Sequence, residues 1–125
     1  MKKILMITVL MFTMIAGAQA QAEIKFDKLI HNFGTFAEKD GVQKATFEFT
    51  NVGNAPLVIN QVVASCGCTA TNYDKKPIQP GQKGKIEVSY NGKGKFAGHF
   101  KKNITVRTNA KTEMTRLYVE GDMRD

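Results

Sequence analysis

The feature that most constrains this chain is a two-residue rhythm. Ala45-Thr46-Phe47-Glu48-Phe49-Thr50 alternates apolar with polar side chains, and Lys85-Ile86-Glu87-Val88-Ser89-Tyr90 and Asn103-Ile104-Thr105-Val106-Arg107 repeat the pattern. Ile24-Lys25-Phe26-Asp27 follows it briefly, and Thr115-Arg116-Leu117-Tyr118-Val119-Glu120 less cleanly. Such alternation sends neighbouring side chains to opposite faces of a strand, one buried and one wet. Residues 57–64 (Leu-Val-Ile-Asn-Gln-Val-Val-Ala) are more continuously apolar, which predicts a central strand covered on both faces. Turn-forming clusters separate these runs: Asn51-Val52-Gly53-Asn54 before Ala55-Pro56, Pro80-Gly81-Gln82, Asn91-Gly92-Lys93-Gly94-Lys95, and residues 108–112. After Gln21 no long segment has helical spacing with caps. The expected fold is all-β, a single immunoglobulin-like β-sandwich of about seven strands over residues 21–125.

Residues 1–20 are of another kind. Lys2 and Lys3 precede an almost wholly apolar run at residues 4–15, then Gly17 and Ala18-Gln19-Ala20. Basic, apolar and small-x-small in that order is a secretory signal, so a signal peptide helix precedes the sandwich. The run is too short for the roughly 20 residues that span a bilayer, so contact with the membrane is transient. No cysteine stands near the cleavage point to carry a lipid. Cleavage after Ala20 leaves Gln21 first, and cleavage after Ala22 is the alternative. The destination is the periplasm, the cell surface or the medium. Removing Lys2 and Lys3 lowers the formal charge from +7 to about +5. The remaining lysines are scattered (Lys25, Lys39, Lys75, Lys83, Lys93, Lys101), unlike a nucleic-acid-binding face.

Two aromatic stretches frame candidate packing sites. In Phe33-Gly34-Thr35-Phe36 the glycine marks a bulge or bend, and Phe33 or Phe36 plugs one end of the sandwich. In Phe96-Ala97-Gly98-His99-Phe100 the glycine again bends the chain, and Phe100 joins the core.

The chemically unusual element is Ser65-Cys66-Gly67-Cys68-Thr69, which holds both cysteines of the chain. Export favours oxidised thiols. A disulfide between Cys66 and Cys68 closes a very small ring, so it constrains the unfolded chain little. Fully extended, the two Cα atoms stand about 7 Å apart, at the edge of disulfide geometry, and Gly67 is the residue placed to relax the backbone. Four readings remain open for Cys66 and Cys68: a local disulfide or buried thiol pair, a soft Cu(I) or Zn(II) site supplemented by His31 or His99, thiol–disulfide exchange with a partner, and intermolecular bridging or packing alone. No paired-carboxylate motif, nucleophile elbow or phosphate-cradling glycine loop is present, so no enzyme activity and no cofactor other than a metal at Cys66 and Cys68 is expected.

Several of these pieces also occur together in a known family. Phe47-Glu48-Phe49-Thr50-Asn51-Val52-Gly53-Asn54-Ala55-Pro56-Leu57-Val58-Ile59, Ser65-Cys66-Gly67-Cys68-Thr69, Ile78-Gln79-Pro80-Gly81 and Thr108-Asn109 resemble a family of exported bacterial domains of unknown function, number 1573 in its series. The resemblance runs from about Ile24 to Gly121, and the cysteine pair matches the family's characteristic motif. That family is similar to the Ig-like sandwiches of pilus chaperones, sperm-protein-type domains and ciliary and centrosomal proteins. The resemblance implies an Ig-like fold, no enzyme activity, and no ligand or catalytic residue to carry over.

The leading expectation is a non-enzymatic exported binding or structural module that engages a protein or cell-envelope partner through open edge strands. The alternative is a thiol-based metal or redox protein using Cys66 and Cys68.

Overall fold

The structure, a computed structural model, describes residues 20–125; the expected signal peptide at residues 1–20 lies outside them except for Ala20. Eight strands form: β1 (Ile24–Phe26), β2 (Ile30–Ala37), β3 (Gln43–Asn51), β4 (Ile59–Ala64), β5 (Thr69–Tyr73), β6 (Lys83–Tyr90), β7 (Gly98–Thr108) and β8 (Met114–Arg124). They make two four-stranded sheets, ordered β1-β3-β6-β5 and β2-β8-β7-β4. Pairing is antiparallel except between β2 and β8, which run parallel. The sandwich is as expected, with eight strands in place of about seven.

The alternating runs supply the centre. Phe47 and Phe49 of β3, Ile86 and Val88 of β6, Ile104 and Val106 of β7, and Leu117 and Val119 of β8 all point between the sheets and are fully buried. Their polar neighbours, such as Thr46, Glu48, Lys85 and Glu87, stay on the outer faces, as sheet packing requires.

The continuously apolar run at residues 57–64 is not a central strand. Its strand begins only at Ile59 and lies at a sheet edge, with Asn60, Gln61 and Val63 exposed. Leu57 is buried for another reason: it forms an isolated antiparallel bridge to Ile78. The excess of apolar residues therefore reflects a short bridge followed by an edge strand.

One buried polar side chain ties this side of the sandwich together. Asn51 is fully buried; its amide nitrogen donates to the carbonyls of Ala55 and Ile78 at 2.8 and 2.9 Å. Its side-chain oxygen accepts from the Gly53 amide at 3.0 Å. Ile78 and Leu57 exchange both backbone bonds at 2.8 Å. The asparagine thus holds the turn after β3 and the segment between β5 and β6 in one place.

Candidate functional site

The Cys-Gly-Cys turn is where the chain changes sheets. β4 is an edge of one sheet and β5 an edge of the other, and only residues 65–68 join them. The turn closes with the Thr69 amide donating to the Cys66 carbonyl at 3.1 Å. Ser65 anchors its start: the Ser65 amide donates to the Asn103 carbonyl at 3.0 Å, and the Asn103 amide to the Ser65 hydroxyl at 3.2 Å.

Within the turn Cys66 and Cys68 form a disulfide, with Cα atoms 5.2 Å apart. The pair closes because the chain has left the extended conformation at Ala64. Gly67 is not the reason, since it does not take a left-handed φ and a Cβ there would meet nothing within 4 Å. The Cys68 amide points back at the Cys66 sulfur, 3.1 Å away. Both cysteines are half-buried, while Gly67 is exposed.

Beneath the disulfide lies a second, aromatic cluster. Phe36, Tyr90 and Met123 are buried there, with Phe33, Phe100 and Cys68 packed against them. Tyr90 and Phe100 stack at 4.0 Å between centroids, and Phe36 meets Phe100 edge-on at 5.9 Å. Burial raises the Tyr90 phenol above its ordinary pKa. Phe36 plugs this end of the sandwich, as expected, and Phe100 packs against it half-buried. Gly34 does sit in a bulge: its φ is +73° and the β2–β8 register shifts between Asn32 and Thr35. Phe96 behaves differently, being 99% exposed in the loop between β6 and β7. That loop starts at Asn91, whose amide donates to the Cys68 carbonyl at 2.8 Å.

The histidines do not join the cysteines. His31 lies against Phe33 at 5.0 Å, and its Nδ1 is 2.7 Å from the Lys28 ammonium. Burial, and then the Lys28 charge, lower its pKa. His99 faces Asp122 of β8 at 3.3 Å and Glu120 at 3.8 Å, in the open. The metal reading of Cys66 and Cys68 is not supported: the two sulfurs are bonded to each other, so neither is a thiolate donor. Among the described residues no group of three or more histidine, cysteine or acidic side chains is gathered to hold an ion.

Sequence reasoning missed β5. Its first four residues (Thr-Ala-Thr-Asn) are small or polar, yet with Tyr73 they pair in unbroken register with β6 from Thr69 opposite Tyr90 to Tyr73 opposite Ile86. The Asn91-to-Cys68 bond sets the phase of that ladder. Antiparallel alternation then puts Ala70 and Asn72 in the bonded pairs and turns the backbone groups of Thr71 and Tyr73 outward, to the free edge. Two shallow concavities, of about 550 and 450 Å³, lie on the outer face of this sheet over β6, between β5 and β3, and share Asn72 and Glu87.

Known proteins place the fold in context. A Porphyromonas gingivalis protein of unknown function superposes with a TM-score of 0.71 at 19% identity, over 86% of this chain and 50% of its own. The chain thus spans half of that protein. A PapD-like domain of human CEP192 gives a TM-score of 0.66 at 9% identity, over 86% of this chain and 89% of its own. The Pseudomonas aeruginosa CupB2 chaperone gives 0.56 at 9% identity, over 78% of this chain and 54% of its own. At these identities the likeness is one of fold. No curated protein matches the chain. Residues 24–123 match the family described as "Protein of unknown function (DUF1573)", and the chain belongs to that family.

Proposed function

We propose that this is an exported, non-enzymatic binding module that takes an extended segment of a partner protein along the free edge of β5. The supporting observation is how the four sheet edges differ. β1 is three residues long and carries Lys25, β2 is bulged, and β4 slips register between Ile59 and Gln61. Short length, charge and bulges are the usual guards against added strands. β5 has none of them: it is uncharged and regular, and Thr71 and Tyr73 offer unpaired backbone groups. Likeness to a chaperone and to a PapD-like domain agrees with this reading as fold-level analogy.

Export is part of the same proposal, with cleavage after Ala20. Ala22 is buried, and its carbonyl accepts from the Lys111 amide at 2.9 Å. The Gln21 amide donates to the Asn54 side chain at 2.7 Å, and the Asn54 amide to the Gln21 carbonyl at 3.0 Å. A cut after Ala22 would discard two residues that the sandwich uses.

Thr71→Pro tests the edge. Proline removes an outward amide and is tolerated on an edge strand in that position. Affinity capture from the native envelope with the wild-type protein should recover a discrete partner. Thr71→Pro should lose that partner while melting within a few degrees of wild type. Equal capture by both proteins would sink the proposal.

A further inference from the structure

We infer that the Cys66–Cys68 disulfide is an exchange site, which accepts electrons from a dithiol on an exported partner protein. The inference is independent of strand addition, since it concerns the sulfurs and not the edge.

Three observations carry it. The first is that the ring does little for the fold. Loop-closure entropy grows with loop length, and these cysteines are two positions apart, so reduction leaves the unfolded chain almost as constrained as before. The turn keeps its other ties when the bond opens: Thr69 amide to Cys66 carbonyl, Ser65 to Asn103, and Asn91 to Cys68. Both redox states therefore fit the same sandwich.

The second observation is access. Cys66 and Cys68 are half-buried at one end of the molecule, not sealed in the core. Gly67 is exposed, and the space where its side chain would stand is empty to 4 Å. Phe96, 99% exposed, stands on the loop that begins at the Cys68 contact.

The third is polarity within the bond. The Cys68 amide lies 3.1 Å from the Cys66 sulfur. An N–H aimed at a sulfur stabilises negative charge there, and the sulfur that better bears charge is the better leaving group. Cys66 is therefore the leaving sulfur and Cys68 the one attacked.

A partner thiolate attacks the Cys68 sulfur and forms a new S–S bond. The Cys66–Cys68 bond breaks, and its electron pair leaves on Cys66, held by the Cys68 amide. The partner's second thiol, deprotonated, then attacks the partner's own sulfur in the mixed disulfide and expels Cys68 as thiolate. The two protons lost by the partner thiols are taken up by Cys66 and Cys68 through water. The partner dithiol is oxidised by two electrons to a disulfide, and the Cys-Gly-Cys pair is reduced to a dithiol.

Glutathione serves as the probe. The purified oxidised mature protein is incubated with excess reduced glutathione, quenched by acid and mapped by mass spectrometry. The expected result is a mixture of dithiol protein and a glutathione adduct confined to Cys68, with unchanged far-ultraviolet circular dichroism. In the fully reduced protein at pH 6, Cys66 should alkylate roughly 3–10-fold faster than Cys68. A disulfide untouched by excess glutathione, an adduct mainly on Cys66, or equal alkylation rates would each overturn the inference.

Discussion

Replacing Asn51 with alanine should be among the more damaging single changes outside the apolar core. The side chain makes three good bonds: to the Ala55 carbonyl, the Ile78 carbonyl and the Gly53 amide. Glu23's amide approaches at 3.4 Å and adds little. Not every partner is orphaned by the change. The Ile78 carbonyl keeps its bond from Leu57. The Ala55 carbonyl and Gly53 amide lose their side-chain partner in a part-buried setting, at about 1 kcal/mol each, the low end for unsatisfied groups. The cavity and the lost bond to Ile78 add roughly another 1–2 kcal/mol. The sum is about 3 kcal/mol, a large part of the roughly 5–15 kcal/mol that holds a domain folded. With a urea slope of about 1–3 kcal/mol/M, the midpoint should fall by roughly 1–3 M at unchanged slope. Asn51→Asp sharpens the test. It sets a carboxylate against two carbonyls, so its folded pKa is raised. The charged form is disfavoured in the fold, and that variant should lose stability as pH rises above about 4, where the unfolded carboxyl ionises. A loss under about 1 kcal/mol for Asn51→Ala, or an Asn51→Asp variant indifferent to pH, would refute this account of the buried asparagine.

Two glycines make opposite predictions. A Cβ on Gly53 would collide with the backbone at Gln21 and Glu23, so Gly53→Ala should cost about 1–3 kcal/mol in a urea melt. Gly67→Ala meets open space without a left-handed φ; stability should stay within about 0.5 kcal/mol and the disulfide should still form by intact mass. His31 should titrate below the ordinary histidine range by proton NMR, because burial and the adjacent Lys28 ammonium both oppose its charge. Since its folded pKa is the lower one, its share of stability is present above about pH 6.5 and is lost as pH falls through the folded value. Lys28→Gln should move the titration upward; an unmoved curve would show that the lysine plays no part.

How much of this was legible in the sequence depends on how many faces a strand buries. β3, β6, β7 and β8 bury one face each against the opposite sheet, so their apolar residues recur every second position and can be read directly. β5 lies at an edge and turns Thr69, Thr71 and Tyr73 inward, two of them threonines, so Thr-Ala-Thr-Asn-Tyr carries almost no apolar alternation to read. Residues 57–64 misled in the other direction, because Leu57 is buried by an isolated bridge and Ile59 by the start of an edge strand. Asn51 reads as an ordinary turn residue beside Gly53; only the fold reveals that Ala55 and Ile78 converge on it. The cysteine pair was visible from spacing. That it sits where the chain passes from one sheet to the other depends on long-range pairing, which local sequence does not encode.

The central claim is that β5 is the edge on which a partner is received. A photo-crosslinking amino acid at Asn72, expressed from the chain in its own host, tests it most directly. Asn72 lies on the outer face of β5, exposed and beside both concavities. The same probe at Lys25, on the edge strand at the far side of that sheet, is the control. The prediction is one discrete adduct from Asn72, absent from Lys25 and abolished when Thr71→Pro is added. Equal adducts from both positions, or an Asn72 adduct that survives Thr71→Pro, would contradict it.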